Sequence, residues 1–435
     1  MLMLKPHFRV NSSGHLVCGG IDTVELCEEF GTPLYVMDEE RIRDNYRRFL
    51  KAFSKRRKVR LCYALKANSN SAVVRVLATE GAGADVSSEN ELRIALRAGI
   101  PGEKMVFNGN LKTQEELRLA LKHGVTINID NFQELEVVER LAGKMKTEAR
   151  ISFRINPNIR APTHPYIATG LRESKFGFDV ESGEALEAYR RARQMKNLKI
   201  VGIHAHIGSQ ILDPSPFVEE AEKVMEVVAK LHGMGIELDF VDLGGGVGIP
   251  YRPEEREMNL EELAEKVVSV VKRVEEEKGM EEHLLVFEPG RYIVGDAGIL
   301  LARVEYTKER KGLPRWISLD AGMNALIRPA LYGAYHHIEL ANKMDQKNDT
   351  LTNVAGPLCE SGDFLGKERL LPKAERGDLA VIFDVGAYGL SMSNQHTAKP
   401  RPAMVMVKGG KAALVRKRET FRDLVRLDLL PPWLK

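Results

Sequence analysis

The chain has 435 residues, more than one ordinary hydrophobic core accommodates, so two domains are expected. Hydrophobic residues make up 43% and charged residues 29%, a balance that suits a soluble globular protein and leaves little room for extended disorder. The net charge of +3 is dispersed, with no basic face interleaved with aromatics and no apolar stretch of 18 residues, so neither nucleic-acid binding nor a membrane span is expected.

The four cysteines, Cys18, Cys27, Cys62 and Cys359, form no Cys-x-x-Cys pair, which argues against a zinc knuckle and against a disulfide scaffold. The first residues carry no apolar run of signal-peptide length, so a cytoplasmic enzyme is expected. The basic run Lys55-Arg56-Arg57-Lys58 reads as solvated surface.

Strand-like pieces near Leu16–Val17 and Leu34–Met37 come first, then a helical stretch over 39–53. From residue 59 short apolar runs alternate with amphipathic helical stretches. The predicted strands are Val59–Ala64, Ala84–Ser87, Met105–Asn108, Thr126–Asp130, Arg150–Asn156, Ile200–His206, Phe240–Leu243 and Leu284–Glu288. In the helix predicted over 112–123, Thr113 and Glu116 have the spacing of a capping box. Eight such units predict a (β/α)₈ TIM-type barrel, an α/β fold, with helix 39–53 closing the ring because no clear helix follows the eighth strand. Beyond residue 296 the pattern turns to strands: Leu300–Thr307, Trp316–Leu319, Leu379–Phe383, Ala403–Val407 and Ala412–Val415. Gly409-Gly410 marks a hairpin between the last two. The expected organisation is an N-terminal segment 1–38 joining a mostly β domain (Greek-key-like barrel), the (β/α)₈ barrel over 39–295, and the rest of the β domain over 296–435.

Catalytic groups of such barrels sit where strands end. Lys66 follows the first strand, His206 ends the sixth, Gly244-Gly245-Gly246 follows the seventh, and Glu288-Pro289-Gly290-Arg291 follows the eighth. Singly, each has an ordinary reading as a surface lysine, a tight turn or a salt-bridged corner. On one rim they supply what pyridoxal phosphate needs. A lysine amine can form a Schiff base, a glycine turn with Ser209 can donate to a phosphate, and a carboxylate can hold the pyridine nitrogen protonated. An imidazole such as His206 can stack on the ring. His204-x-His206 also fits a metal pair, but the other strand ends lack further histidine ligands, and His204 reads better as a barrel-filling core residue. In Gly356-Pro-Leu-Cys359-Glu360-Ser-Gly362 the thiol lies beside a carboxylate in a non-periodic loop, where it can donate a proton.

With these residues in place, the chain resembles the diaminopimelate decarboxylases, of the alanine-racemase-like fold type III group. The resemblance runs through Tyr63–Asn68, Phe107-Asn-Gly-Asn110, His164-Pro-Tyr166, Thr169-Gly-Leu171 and Lys175-Phe-Gly177. It continues through His206-Ile-Gly-Ser-Gln210, Asp242-Leu-Gly-Gly-Gly246, Glu288–Arg291, Arg328-Pro-Ala-Leu-Tyr332, Cys359-Glu360 and Gly386-Ala-Tyr388. It implies pyridoxal 5'-phosphate on Lys66, His206 stacked on the ring and Glu288 facing the pyridine nitrogen. Ser209, Gly245, Gly246, Gly290, Arg291 and Tyr388 are implied as cofactor or phosphate contacts. Arg291, Arg328, Tyr332, Glu360 and Tyr388 are implied to bind substrate, and Cys359 to return a proton. It further implies a homodimer in which Cys359 and Glu360 enter the partner's site, and decarboxylation of meso-diaminopimelate to L-lysine. A decarboxylase of the same fold for another substrate, such as carboxynorspermidine, and a non-catalytic cofactor-binding homologue are the alternatives. Three segments depart from the family pattern: Glu89-Asn90 replaces two glycines, Asn324-Ala325 replaces Asn-Asp, and Ser393–Arg401 differs after the cofactor tyrosine.

Overall fold

The computed structural model describes residues 4–160 and 174–434, so the motifs His164-Pro-Tyr166 and Thr169-Gly-Leu171 lie outside the described residues. The chain divides into two compact units. One combines Arg43–Pro250 with Arg256–Ile293; the other combines Met1–Ile42, Tyr251–Glu255 and Val294–Lys435.

In the first unit eight strands pair in parallel and in chain order: Val59–Ala64, Gly83–Val86, Met105–Phe107, Thr126–Ile129, Ala149–Asn156, Leu198–His204, Phe240–Asp242 and Leu284–Phe287. The eighth pairs back onto the first, with Leu285 opposite Val59 and Phe287 opposite Leu61. That closure makes the predicted barrel. Runs such as Leu284-Leu-Val-Phe287 are apolar throughout because one face meets helices and the other fills the barrel. The capping box is present: Thr113 Oγ1 accepts from the Glu116 N–H at 3.2 Å, and Glu116 Oε2 accepts from the Thr113 N–H at 2.8 Å. Helix Glu39–Ser54 does cover the end of the ring, where a helix of four residues follows the eighth strand. Its Phe53 ring lies 4.3 Å from Phe287 and its Phe49 ring 5.7 Å from Tyr292.

Two readings need correction. Arg57 is not solvated surface: its side chain is fully buried and donates to Glu275 Oε1 at 3.0 Å. A run of four basic residues leaving a helix presents one of them inward, and periodicity alone does not single it out. In the second unit, Leu34–Asp38 joins the large sheet as expected, antiparallel to Gly298–Lys308 and parallel to Ala403–Lys408. Leu16–Cys18 does not. It forms a separate small sheet with Phe8–Val10 and Ile21–Asp22, because two turns fold the early chain back on itself first.

The hairpin Ala403–Lys408 / Lys411–Arg416 turns at Gly409 and Gly410, both at positive φ as a two-residue loop requires. Leu34, Val36, Ile299, Leu301, Val381 and Val405 form the centre of this unit's core. Among the described residues no helix is long and apolar enough to cross a membrane.

Candidate active site

The strands of the barrel end in a polar layer. Asp85, Asn128, His204 and Asp242 each lie between apolar neighbours in a strand, and all are buried. Asn108 follows its strand by one residue and links them. Its amide nitrogen donates to Asp85 Oδ1 at 2.8 Å and to Glu288 Oε1 at 2.6 Å, and its carbonyl accepts from Asn128 Nδ2 at 2.6 Å. His204 Nε2 lies 3.2 Å from Glu288 Oε2, so both Glu288 oxygens accept hydrogen bonds. His204 is therefore more than the core filler its sequence suggested: it is a direct partner of Glu288.

Lys66 stands at the open side of this layer. Leu65 and Ala67 are buried, while 41% of the Lys66 side chain is exposed, and its Nζ donates to Asp85 Oδ2 at 2.6 Å. The layer holds several carboxyls, but the surroundings separate them. Burial raises Asp242 and Asp85, and the Glu288 charge raises both further. Burial also works to raise Glu288, yet His204, Lys66 and the Asn108 amide hold its carboxyl well below the usual carboxylate range. Glu288 is thus a carboxyl the fold keeps ionised. His206 is pushed the other way: burial, Lys66 and Arg154 lower it well below its ordinary value, so the ring is neutral and its Nδ1 accepts from the Gly245 N–H at 3.2 Å.

The glycine turn wraps tightly. A Cβ on Gly245 would lie 2.2 Å from the Glu288 carbonyl oxygen. Gly246 has φ +115°, and a Cβ there would lie 2.6 Å from the Gly208 carbonyl oxygen. Any side chain would strain this backbone. Gly290 packs against Ala64 and Ala67 of the Lys66 segment, and Arg291 donates to Ser209 Oγ at 3.0 Å. The fold therefore brings Lys66, His206, Ser209, Gly245, Gly246, Glu288, Gly290 and Arg291 to one rim.

The rival metal pair His204-x-His206 is not what the fold assembles. Among the described residues, the three groups whose ligand atoms lie within 4.8 Å of one another are His204, Asp242 and Glu288, all buried. Both Glu288 oxygens already accept, from Asn108 and from His204.

The remaining predicted residues lie in the second unit. Arg328 and Tyr332 open and close one short helix, Arg328–Tyr332. Arg328 is buried and donates to the Tyr251 hydroxyl at 2.9 Å. Cys359 and Glu360 are exposed in a loop pinned by Asp363, whose carboxylate accepts from the backbone N–H of Met323 at 2.6 Å and of Leu358 at 2.7 Å. Tyr388 is partly buried with a left-handed backbone, φ 57°. The family departures fall outside these contacts: Glu89-Asn90 begins helix Glu89–Arg97, capped by Ser88, and Glu419 ties Gln395 and Arg401.

Sequence reasoning missed Asp85, Asn128 and Asp242 as members of the site. The signal was present: a lone polar residue between apolar ones near the C-terminal end of the second, fourth and seventh barrel strands. A buried polar group in such a position needs a partner inside the barrel.

Residues 39–295 match the family described as pyridoxal-dependent decarboxylase, pyridoxal binding domain. The diaminopimelate decarboxylase of Methanothermobacter thermautotrophicus is 46% identical over 429 residues, 98% of each chain. That of Bacillus subtilis is 42% identical over 427 residues, 97% of each chain. The chain belongs to the diaminopimelate decarboxylase family. The crystal structure of the diaminopimelate decarboxylase of Methanocaldococcus jannaschii in complex with L-lysine superposes with a TM-score of 0.94, at 43% identity and 99% coverage of both chains. Pyridoxal phosphate is the cofactor of this family, and the rim fits it. An amine stands at the opening, one buried carboxylate is kept anionic, a neutral imidazole lies nearby, and a glycine turn bars any side chain.

Proposed function

We propose that this chain converts meso-2,6-diaminopimelate to L-lysine and carbon dioxide with pyridoxal phosphate held by the barrel of residues 39–295. The observation that carries the reading is Glu288: a buried carboxylate kept ionised on the same rim as Lys66, in a member of the diaminopimelate decarboxylase family. When bound, the cofactor supplies an electron sink for the bond to the departing carboxylate.

Lys66 would be the amine that carries the cofactor, His206 would lie against its ring, and Glu288 would face its pyridine nitrogen. Ser209, Gly245, Gly246, Gly290 and Arg291, with Tyr388, would hold its phosphate side. Arg328, Tyr332, Glu360 and Arg291 grip the substrate. Arg328 pairs with the distal carboxylate; an analogue lacking that group denies the buried guanidinium that carboxylate, at roughly 2–5 kcal/mol. Cys359 holds the proton that replaces carbon dioxide. Cys359 and Glu360 are exposed on the single chain, whereas a proton donor to carbon works best away from bulk water. We therefore place them in the site of a second copy, making a homodimer, and assign the enzyme to the cytoplasm.

The test is the absorbance of purified protein with cofactor, followed by addition of meso-diaminopimelate. A band near about 420 nm with lysine and carbon dioxide formed is expected. Comparable turnover of lysine, ornithine or arginine, or the same band and turnover after Lys66→Ala, would refute the reading.

A further inference from the structure

Resting on the reading of Arg328 as the distal-carboxylate group, we propose that His336, together with Tyr251, is a positioning residue that sets the orientation of Arg328. His336 is fully buried, and its Nδ1 lies 2.9 Å from the backbone carbonyl of Phe383. A carbonyl oxygen only accepts, so Nδ1 carries the ring hydrogen and Nε2 presents a lone pair. Arg328 Nη1 lies 3.0 Å from that Nε2 and can only donate to it. The same Nη1 donates to the Tyr251 hydroxyl at 2.9 Å. Both of its hydrogens are therefore aimed by protein groups.

The aromatic packing fixes the remaining freedom. The Tyr251 ring lies under the guanidinium, with Cζ 4.7 Å from its centroid. The Tyr251 and His336 rings meet edge to face at 5.2 Å and 77°. Arg328 is thus held in plane by hydrogen bonds from two directions and stacked from a third. Both partners of Nη1 are neutral, so neither cancels the positive charge. That combination suits a group that must meet a carboxylate in one geometry, which a lysine ammonium does not reproduce. Arg328 and His336 are eight residues apart, whereas Tyr251 and Phe383 come from distant segments, so no single motif contains all four.

The test compares holoenzyme variants by calorimetric binding of two ligands. L-Lysine keeps an α-carboxylate; cadaverine has the same carbon chain and none. His336→Asn keeps a hydrogen for the Phe383 carbonyl but no longer reaches Arg328. His336→Gln reaches it with a carbonyl oxygen. Losing one charge-assisted hydrogen bond should weaken lysine about tenfold in His336→Asn, with cadaverine unchanged. His336→Gln should restore lysine affinity to within about threefold of wild type. The KM for diaminopimelate should follow lysine affinity, while kcat moves far less. Tyr251→Phe, which keeps the ring and removes the hydroxyl, should also weaken lysine selectively, and it carries the test if His336→Asn does not fold. Wild-type lysine affinity in His336→Asn or, failing that, in Tyr251→Phe would overturn the positioning role if Arg328→Gln loses lysine selectively. If Arg328→Gln does not weaken lysine relative to cadaverine, the Arg328 reading falls and this proposal falls with it.

Discussion

Lys66 Nζ lies 2.6 Å from Asp85 Oδ2, a contact between an amine at the open rim and a carboxylate with no solvent exposure. A carboxylate at this distance favours the ammonium form, whereas condensation with an aldehyde needs the neutral amine. Asp85→Asn keeps the shape and removes the charge. Cofactor-free Asp85→Asn should take up pyridoxal phosphate several-fold faster at neutral pH, because more of the amine is then neutral. Its uptake profile should move to lower pH. Stopped-flow absorbance of the bound cofactor reads both, and an unmoved profile would show that Asp85 does not govern the protonation of Lys66.

Gly246 has a backbone that tolerates no side chain without strain. Its φ of +115° and the 2.6 Å approach of a Cβ to the Gly208 carbonyl mean that Gly246→Ala must move the turn. The strain is about 1–3 kcal/mol. Cofactor affinity should fall by at least about tenfold if that cost appears on binding. Equilibrium dialysis of pyridoxal phosphate is the measurement. An unchanged affinity would remove the turn from the phosphate site.

How far the sequence revealed all this depends on how local the signal was. The barrel strands were legible because burial on both faces makes each a short apolar run, and Lys66, His206 and Glu288 were legible because they interrupt those runs at strand ends. Strands Thr350–Ala355 and Phe364–Leu371 were not predicted. Their pairing shifts register between Thr352 and Val354 and again between Val354 and Ala355, which destroys the alternation a strand normally shows. The partners of Glu288 were hidden for a different reason. Asp85, Asn108 and His204 meet only when the barrel closes, and nothing in their separate sequence positions records that they converge on one carboxylate.

Arg57 and Glu275 form a buried pair, with the Glu275 carboxylate also accepting from His283 Nδ1 at 2.8 Å. Arg57→Ala leaves that carboxylate buried without its cation. Breaking such a pair costs about 3–5 kcal/mol. Thermal unfolding should show a clear loss in midpoint, with catalytic constants at low temperature unaffected. A midpoint within experimental error of wild type would mean that the pair contributes little.

Glu220 offers a pH test of the fold. It is fully buried, neither side-chain oxygen has a hydrogen-bond partner among the described residues, and it lies behind the glycine turn among Phe217, Leu243, Gly244, Gly245 and Pro289. Burial, then the Glu288 charge, raises its carboxyl well above 4.5. A raised carboxyl favours folding fully below its unfolded value, and the benefit is lost as pH rises toward the folded value. Glu220→Gln is neutral at every pH, so its stability relative to wild type should grow by about 1.4 kcal/mol per pH unit above pH 4.5. Denaturation midpoints at a series of pH values measure this. A difference that does not vary with pH would mean that Glu220 titrates normally.

Asp363 links local structure to Cys359, the proposed proton donor. Its carboxylate accepts from the Met323 and Leu358 amides, and its backbone carbonyl accepts from Gly356. Gly322 and Gly356 leave the space it occupies, since a Cβ on either would lie within 2.4 Å of a carboxylate oxygen. Cys359 follows Leu358 directly, so the carboxylate fixes where the thiol begins. Asp363→Ala removes both acceptors and opens a void, letting the loop shift by about an ångström, and a misplacement on that scale costs about 10²-fold in rate. Turnover should fall by about that factor, while the bound-cofactor spectrum, set by the barrel, stays as in wild type. Asp363→Asn keeps one acceptor and should fall between the two. Stopped-flow kinetics beside the absorbance spectrum separate the cases: lost absorbance would point to a wider structural failure, and full turnover would show that the loop holds Cys359 without Asp363.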